Sequence, residues 1–203
     1  MSVWIPLDEN LAASARPLLL VDRDGVVIED RDYLGDPSGV VLLPGAAEAL
    51  ALARAGGWLV VGVSNQSGIG RRRFGEADFA AVMSRLDALL ARAGARFDGF
   101  YYCPHVPADR CACRKPLTGL IDQAGLSGRL GGRKVWMVGD KADDIALGRS
   151  LGARCVLVRT GHGAREEASV RERWAGDPDV SIRADLAAAV DLALADPPEG
   201  GGS

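Results

Sequence analysis

Three apolar runs in this chain stop abruptly in polar residues, and that pattern restricts the possible folds more than any other feature. Leu18–Val21 runs into Asp22-Arg23-Asp24-Gly25, the run 58–63 into Ser64-Asn65-Gln66-Ser67-Gly68, and the run 134–138 into Gly139-Asp140. Short runs that are apolar at every position suit strands buried on both faces, as in parallel sheets. Helical patterns lie between them. Pro44-Gly45 opens a helix through about Ala55, and Gly56-Gly57 closes it. Residues 75–93 carry Phe79, Val82, Met83, Leu86, Leu89 and Leu90 at three- and four-residue steps, a core-facing stripe. Further strands are expected over 97–102 and 154–158, and further helices over 117–126 and from Asp140 to about Leu151. Strand and helix alternate, so the expected fold class is α/β, a doubly wound and mostly parallel sheet.

The chain has 203 residues, enough for one domain with a full core. Residues 1–17 read as a loosely attached lead-in, with Trp4 and Ile5 packing on the surface. The domain is expected over 18–195. The Pro/Gly-rich stretch 196–203 is expected to be a disordered tail. A formal net charge of -3 argues against nucleic acid or an anionic membrane as partner, since both want a basic surface. The one basic run, Arg71-Arg72-Arg73, is short and reads as a solvated loop. Nothing approaches 18 consecutive apolar residues, and no basic stretch leads into an apolar core near the N-terminus. A cytoplasmic protein is expected. No long apolar surface stretch demands a dimer, so a monomer is expected.

In open α/β sheets, sites lie outside the carboxyl ends of the strands. Alternation places Asp22 and Asp24 on one side of their strand and Arg23 on the other. Two carboxylates about 4 Å apart repel by about 4 kcal/mol at an effective dielectric of about 20. Such a pair binds a cation or raises one pKa, unless it is simply a solvated strand end. Converging strand ends would join Asp22 and Asp24 to Ser64, Asn65 and Asp140, with Arg114-Lys115 arriving from a later loop. Three carboxylates, a hydroxyl and two cations fit phosphoryl transfer. The acids would hold Mg²⁺, and the hydroxyl, an amide and a lysine would cradle phosphate oxygens. The connection after the first strand, 28–41, is long, and long loops in compact domains are often functional.

Three of the four cysteines fall within eleven residues: Cys103-Pro104-His105, then Cys111-Ala112-Cys113. Three thiolates and an imidazole suit tetrahedral Zn²⁺. The one-residue gaps are tighter than usual finger spacing, so reduced cysteines without metal remain an alternative. Four protein ligands would leave no open position, so this ion would fix the loop 103–116 that carries Arg114 and Lys115. Cys155 reads as a small buried hydrophobe. His162, without a partner in sequence, reads as a surface loop residue.

The ordered motifs Asp22-Arg23-Asp24-Gly25-Val26, Ser64-Asn65-Gln66-Ser67-Gly68, Cys113-Arg114-Lys115-Pro116 and Gly139-Asp140-Lys141 with Asp144 resemble the haloacid dehalogenase (HAD) superfamily of phosphatases. More closely they resemble heptose 1,7-bisphosphate phosphatases and their near relatives, the histidinol-phosphate phosphatases, over about 18–163. The resemblance implies a HAD-like fold with a zinc-stabilised loop and no large cap domain. It implies Asp22 as nucleophile and Asp24 as general acid and then base. Mg²⁺ would sit on Asp22, Asp140 and the Asp24 carbonyl. Ser64 and Lys115 would stabilise the phosphoryl group, with Asn65, Gln66 and Ser67 beside it. Lys141 would lie near the phosphate. Asp30, Arg31, Asp32, Tyr33 and Arg114 would recognise a small sugar phosphate, although a solvated loop is the plainer reading of Asp30 and Asp32. It makes Cys103, His105, Cys111 and Cys113 the zinc ligands. Asp144 would orient the lysine or a metal-bound water, and Asp143 is left as a solvated acid. Ser64 stands where threonine is common in these families, with the hydroxyl kept. Hydrolysis of the 7-phosphate of a heptose bisphosphate, in nucleotide-activated heptose and lipopolysaccharide synthesis, is the leading expectation. Histidinol phosphate is the competing substrate. A phospho-accepting signalling domain is the competing class, but such domains phosphorylate an aspartate on a later strand and lack the cysteine loop.

Overall fold

The structure is a computed structural model that describes residues 3–196. Its centre is a sheet of seven strands: β1 Val3–Ile5, β2 Leu18–Val21, β3 Leu59–Asn65, β4 Gly99–Cys103, β5 Val135–Gly139, β6 Arg154–Val158 and β7 Val180–Arg183. The spatial order is β1-β4-β3-β2-β5-β6-β7, parallel throughout except for β1, which runs antiparallel to β4. β2 therefore lies in the middle, between β3 and β5, with Leu18 opposite Leu59 on one side and Val135 on the other. The order reverses direction beside β2, so the loops after β2, β3 and β5 open the crevice typical of such sheets.

Helices cover both faces. Along β2 successive side chains point to opposite sides. Leu19 and Val21 enter one apolar cluster, and Leu18 and Leu20 enter another. The first cluster is closed by α2 (Ala46–Ala55), α4 (Glu76–Arg92) and α8 (Leu186–Ala195). The second is closed by α5 (Gly119–Gln123), α6 (Ala142–Ser150) and α7 (Gly163–Arg173). On α4 the residues Phe79, Val82, Met83, Leu86 and Leu90 are buried, which is the stripe read from the sequence. Two short helices, α1 (Glu9–Ala13) and α3 (Ser67–Gly70), complete the set. Between β2 and α2, and between β3 and α4, the described residues form only turns and short helical segments, so no inserted cap domain covers the strand ends.

Three expectations need correction. The lead-in is not loose. β1 hydrogen-bonds the edge strand β4, Trp4 Nε1 donates to Asp87, and the Leu7 amide donates to Tyr101 Oη at 2.8 Å with Leu7 buried. A three-residue strand is too short to show periodicity. The C-terminal β7 and α8 also lacked a reading, and they close one edge of the sheet and one core cluster. Of the expected tail, Asp196 alone lies among the described residues, and it pairs with Lys134 at 3.1 Å and with Arg154. Residues 197–203 lie outside them.

Candidate active site

The ends of β2, β3 and β5 floor a cleft of about 200 Å³. Asp22 follows β2 directly, and its amide donates to the Val138 carbonyl at 3.0 Å, which pins it to β5. Asp140 follows β5, and Asp144 lies one turn into α6. Oxygens of these three buried carboxylates lie within 4.8 Å of one another. Lys115 crosses the cluster: its Nζ lies 2.9 Å from Asp22 Oδ1, 2.6 Å from Asp144 Oδ1, and donates to the Val63 carbonyl at 2.7 Å. The lysine backbone is clamped by Asn65, whose Oδ1 accepts from the Lys115 amide at 3.0 Å and whose Nδ2 donates to the Lys115 carbonyl at 3.2 Å. Asn65 therefore sets where the lysine stands.

The charges are unequal in their support. Burial alone would push Asp22 up, but Lys115 and Lys141 together bring it below the ordinary carboxylate range. Asp140 is pushed up to about 8, first by burial and then by Asp22. Asp144 rises to about 6, as burial and Asp22 outweigh Lys115. Lys115 and Lys141 are both held above the usual lysine value, since the carboxylates more than offset their burial. Asp140 Oδ1 is fully buried and accepts no hydrogen bond; the nearest cation is Lys141 Nζ at 3.6 Å. An orphaned carboxylate oxygen beside two further acids fits a hard divalent cation with oxygen ligands.

Asp24 turns to the opposite side of the cleft. Arg23 Nη2 donates to its carboxylate at 2.9 Å, and Gln66 Nε2 donates to Asp24 Oδ2 at 2.7 Å and to Ser64 Oγ at 2.9 Å. Strand β2 ends at Val21, so alternation does not reach Arg23 and Asp24; their side chains meet instead of diverging. Arg23 is 1% exposed, with its guanidinium 5.5 Å from the Phe79 ring centroid. Ser64 is buried beneath the cleft floor, and it does not line the cleft.

The other residues read from the sequence divide. Gln66, Ser67, Arg114 and Lys141 line the cleft, as do Asp30, Asp32 and Tyr33 from the loop after β2. Arg31 does not: it pairs with Glu29 at 2.8 Å on the exposed side of that loop. Asp32 and Tyr33 both have positive φ, 42° and 67°, which turns the Tyr33 ring to the rim within 6.0 Å of the Arg73 guanidinium. Arg71, Arg72 and Arg73 are all exposed, as expected of a solvated loop, and Arg73 is the one whose guanidinium stands over the Tyr33 ring. Two residues were misplaced by sequence reasoning. Asp143 borders the cleft, and His162, expected on the surface, lines it with Nε2 3.0 Å from Asp30 Oδ2. Neither carried a signal, because its partners lie on other loops.

The cysteine loop gathers all four expected ligands. Cys103 Sγ lies 3.6 Å from Cys111 Sγ and 3.3 Å from Cys113 Sγ, and His105 Nδ1 lies 3.6 and 3.3 Å from the Cys103 and Cys113 sulfurs. A tetrahedron with Zn–S bonds of about 2.3 Å has edges of about 3.8 Å. Burial pushes the Cys103 and Cys113 thiols up, so a shared cation would be needed to favour their thiolates. From this loop Arg114 Nη1 reaches back to the His105 carbonyl at 3.5 Å.

A lysine-crossed carboxylate cluster at the parallel strand ends marks a hydrolase of the HAD class, and a family model described as HAD-hydrolase-like matches residues 112–189. The D-glycero-beta-D-manno-heptose-1,7-bisphosphate 7-phosphatase of Pseudomonas putida is 40% identical over 149 residues, 73% of this chain and 85% of the relative. The protein of that name from Neisseria meningitidis is 34% identical over 151 residues, covering 73% and 80%. The crystal structure of D,D-heptose 1,7-bisphosphate phosphatase from B. bronchiseptica, complexed with magnesium and phosphate, is 34% identical, with a TM-score of 0.79 over 88% of this chain and 98% of that one. The chain belongs to the D-glycero-beta-D-manno-heptose-1,7-bisphosphate 7-phosphatase family.

The Asp140 shift gives a test of the cation site. Below about pH 8 the metal-free Asp140 keeps its proton, which a cation must displace. Magnesium chloride should therefore raise the thermal unfolding midpoint more at about pH 8.5 than at about pH 6. Equal or reversed increments in a pH series of melting curves would contradict this.

Proposed function

We propose that this chain removes the 7-phosphate of a D-glycero-D-manno-heptose 1,7-bisphosphate, working as a Mg²⁺-dependent phosphomonoesterase on a small sugar phosphate. The observation that carries the reading is the buried set Asp22, Asp140 and Asp144 crossed by Lys115, in a chain of this family. Asp22, held as a carboxylate by its two lysines, attacks the phosphorus and forms an aspartyl-phosphate as the bond to the sugar oxygen breaks. Asp24, on the facing wall, gives its proton to that leaving oxygen. It then takes a proton from the water that attacks the aspartyl-phosphate, which frees phosphate and restores both carboxyl groups. Lys115 stays charged and offsets the negative charge that develops on the phosphoryl oxygens. Ser64, buried below the cleft floor, accepts from Gln66 and so fixes the amide that also holds Asp24.

Asp22, Asp140 and the Asp24 carbonyl would hold Mg²⁺, which would supply charge neutralisation for the phosphate. Cys103, His105, Cys111 and Cys113 would hold Zn²⁺ in a structural role. Arg114, at the rim, suits the phosphate that does not react, because a planar guanidinium pairs phosphate bidentately. No helix among the described residues is long and apolar enough to cross a membrane, and we place the enzyme in the cytoplasm as a monomer.

A phosphate-release panel tests the substrate. Both anomers of the heptose bisphosphate should be compared with histidinol phosphate, and the heptose esters should be preferred. A preference for histidinol phosphate would reassign the enzyme to that reaction. Asp22→Asn should lower kcat at least about a thousandfold while the melting curve stays cooperative. Retention of most of the rate would remove Asp22 as nucleophile.

Zinc removal tests the scaffold. Stripping the metal with a chelator and restoring Mg²⁺ should raise KM for the bisphosphate several-fold or more, since Arg114 and Lys115 leave the loop that the zinc holds. Protein shown by elemental analysis to be zinc-free and still fully active would refute the role.

A further inference from the structure

The loop after β6 brings to the cleft a side chain that the chemistry above does not use. His162 precedes α7, and its backbone is fixed from several directions. Its amide donates to Asp140 Oδ2 at 2.8 Å. The preceding Gly161 has φ +57° and packs on Gly25, φ +78°, so closely that a Cβ on Gly25 would lie 2.9 Å from Gly161 Cα. Thr160 Oγ1 donates to the Gly25 carbonyl at 2.6 Å. The ring thus leaves a backbone locked to the turn that carries Asp22 and Asp24. Its Nε2 lies 3.0 Å from Asp30 Oδ2, and the side chain is 35% exposed on the cleft wall. It makes no capping hydrogen bond to α7, so helix capping does not account for it.

Asp30, Asp32 and His162 have ligand atoms within 4.8 Å of one another, which invites a second metal site. Lys141 argues against one: its Nζ lies 3.3 Å from Asp30 Oδ2, so an ammonium already stands where the cation would. A phosphate fits no better, because Asp30 and Asp32 face this part of the cleft and would repel it. Carboxylates and an imidazole together suit hydroxyl groups, since the carboxylates accept and the imidazole both donates and accepts. We propose that His162, steered by Asp30, reads hydroxyls of the polyol that carries the reacting phosphate, and so separates sugar phosphates from esters without hydroxyls. The inference rests on the phosphatase reading and adds to it a residue that sets its preference for polyols.

The test compares kcat/KM for the heptose bisphosphate with kcat/KM for p-nitrophenyl phosphate in the Mg²⁺-supplied enzyme. In H162A the ratio of the two should fall at least about tenfold, with most of the loss in KM for the sugar. H162Q, which keeps a donor and an acceptor, should recover much of the ratio. A wild-type preference for the sugar that survives in H162A overturns the inference alone, whether both constants hold or both fall together. A wild-type enzyme that turns over the two esters alike overturns the substrate reading and this inference with it.

Discussion

Lys115 between Asp22 and Asp144 is the interaction on which the rest of the structure depends. At an effective dielectric of about 20, each contact of unlike charges near 4 Å is worth about 4 kcal/mol, and each pair of like charges costs as much. Three buried carboxylates with one buried lysine among them remain short of positive charge. Lys141 supplies part of it from 3.6 Å. What is left falls on Asp140, which keeps a proton at neutral pH and has an oxygen without a partner. The cluster is therefore short of positive charge, and the same deficit that makes it costly to fold suits it to a cation.

Holding that lysine takes four parts of the chain far apart in sequence. The β3 end supplies the Val63 carbonyl and Asn65, which grip Lys115 at its ammonium and its backbone. The β2 end supplies Asp22, and α6, which follows β5, supplies Asp144. The loop 103–116 delivers the lysine itself, and in place of regular structure that loop has one short helical turn, Pro107–Asp109, and four clustered side chains that could hold a metal ion. A segment of this length cannot bury enough apolar surface to order itself, and its Cys/His cluster is placed where a metal ion could take the place of a core. The Cys/His cluster and the cleft are joined through Arg114 and Lys115.

The sheet and the acids at its strand ends were legible because buried parallel strands leave continuous apolar runs that stop in polar residues. β2, β3, β5 and β6 lie within two residues of their expected bounds. Strand β1 escaped because three residues carry no period, and its partners on β4, Tyr101 opposite Val3 and Phe100 opposite Ile5, are far away in sequence. Side-chain direction beyond a strand end was also hidden. Asp24 meets Arg23 because the turn from Asp22 to Ile28, closed by the Val27 amide on the Arg23 carbonyl, abolishes the alternation assumed for it. Within the run Asp30 to Tyr33, Arg31 faces away because Glu29 is its nearer partner. His162 was invisible for a different reason: its side-chain partner Asp30, and Asp140 whose carboxylate its amide meets, lie on other loops.

Those loops give the cleft an uneven distribution of charge. Lys115, Lys141 and Arg114 approach from the β5 side and from the zinc loop, whereas Asp30 and Asp32 stand on the loop after β2. A phosphoryl group is drawn toward the lysines, and it is also kept off the wall that carries Asp30 and His162. An ester that carries both a phosphate and a chain of hydroxyls can satisfy both walls in one orientation. Turned end for end, it would set anionic oxygens against carboxylates and leave the lysines facing neutral hydroxyls. Charge thus favours one orientation for such an ester, and the contact between Gly25 and Gly161 holds the loop of His162 against the turn that follows Asp22.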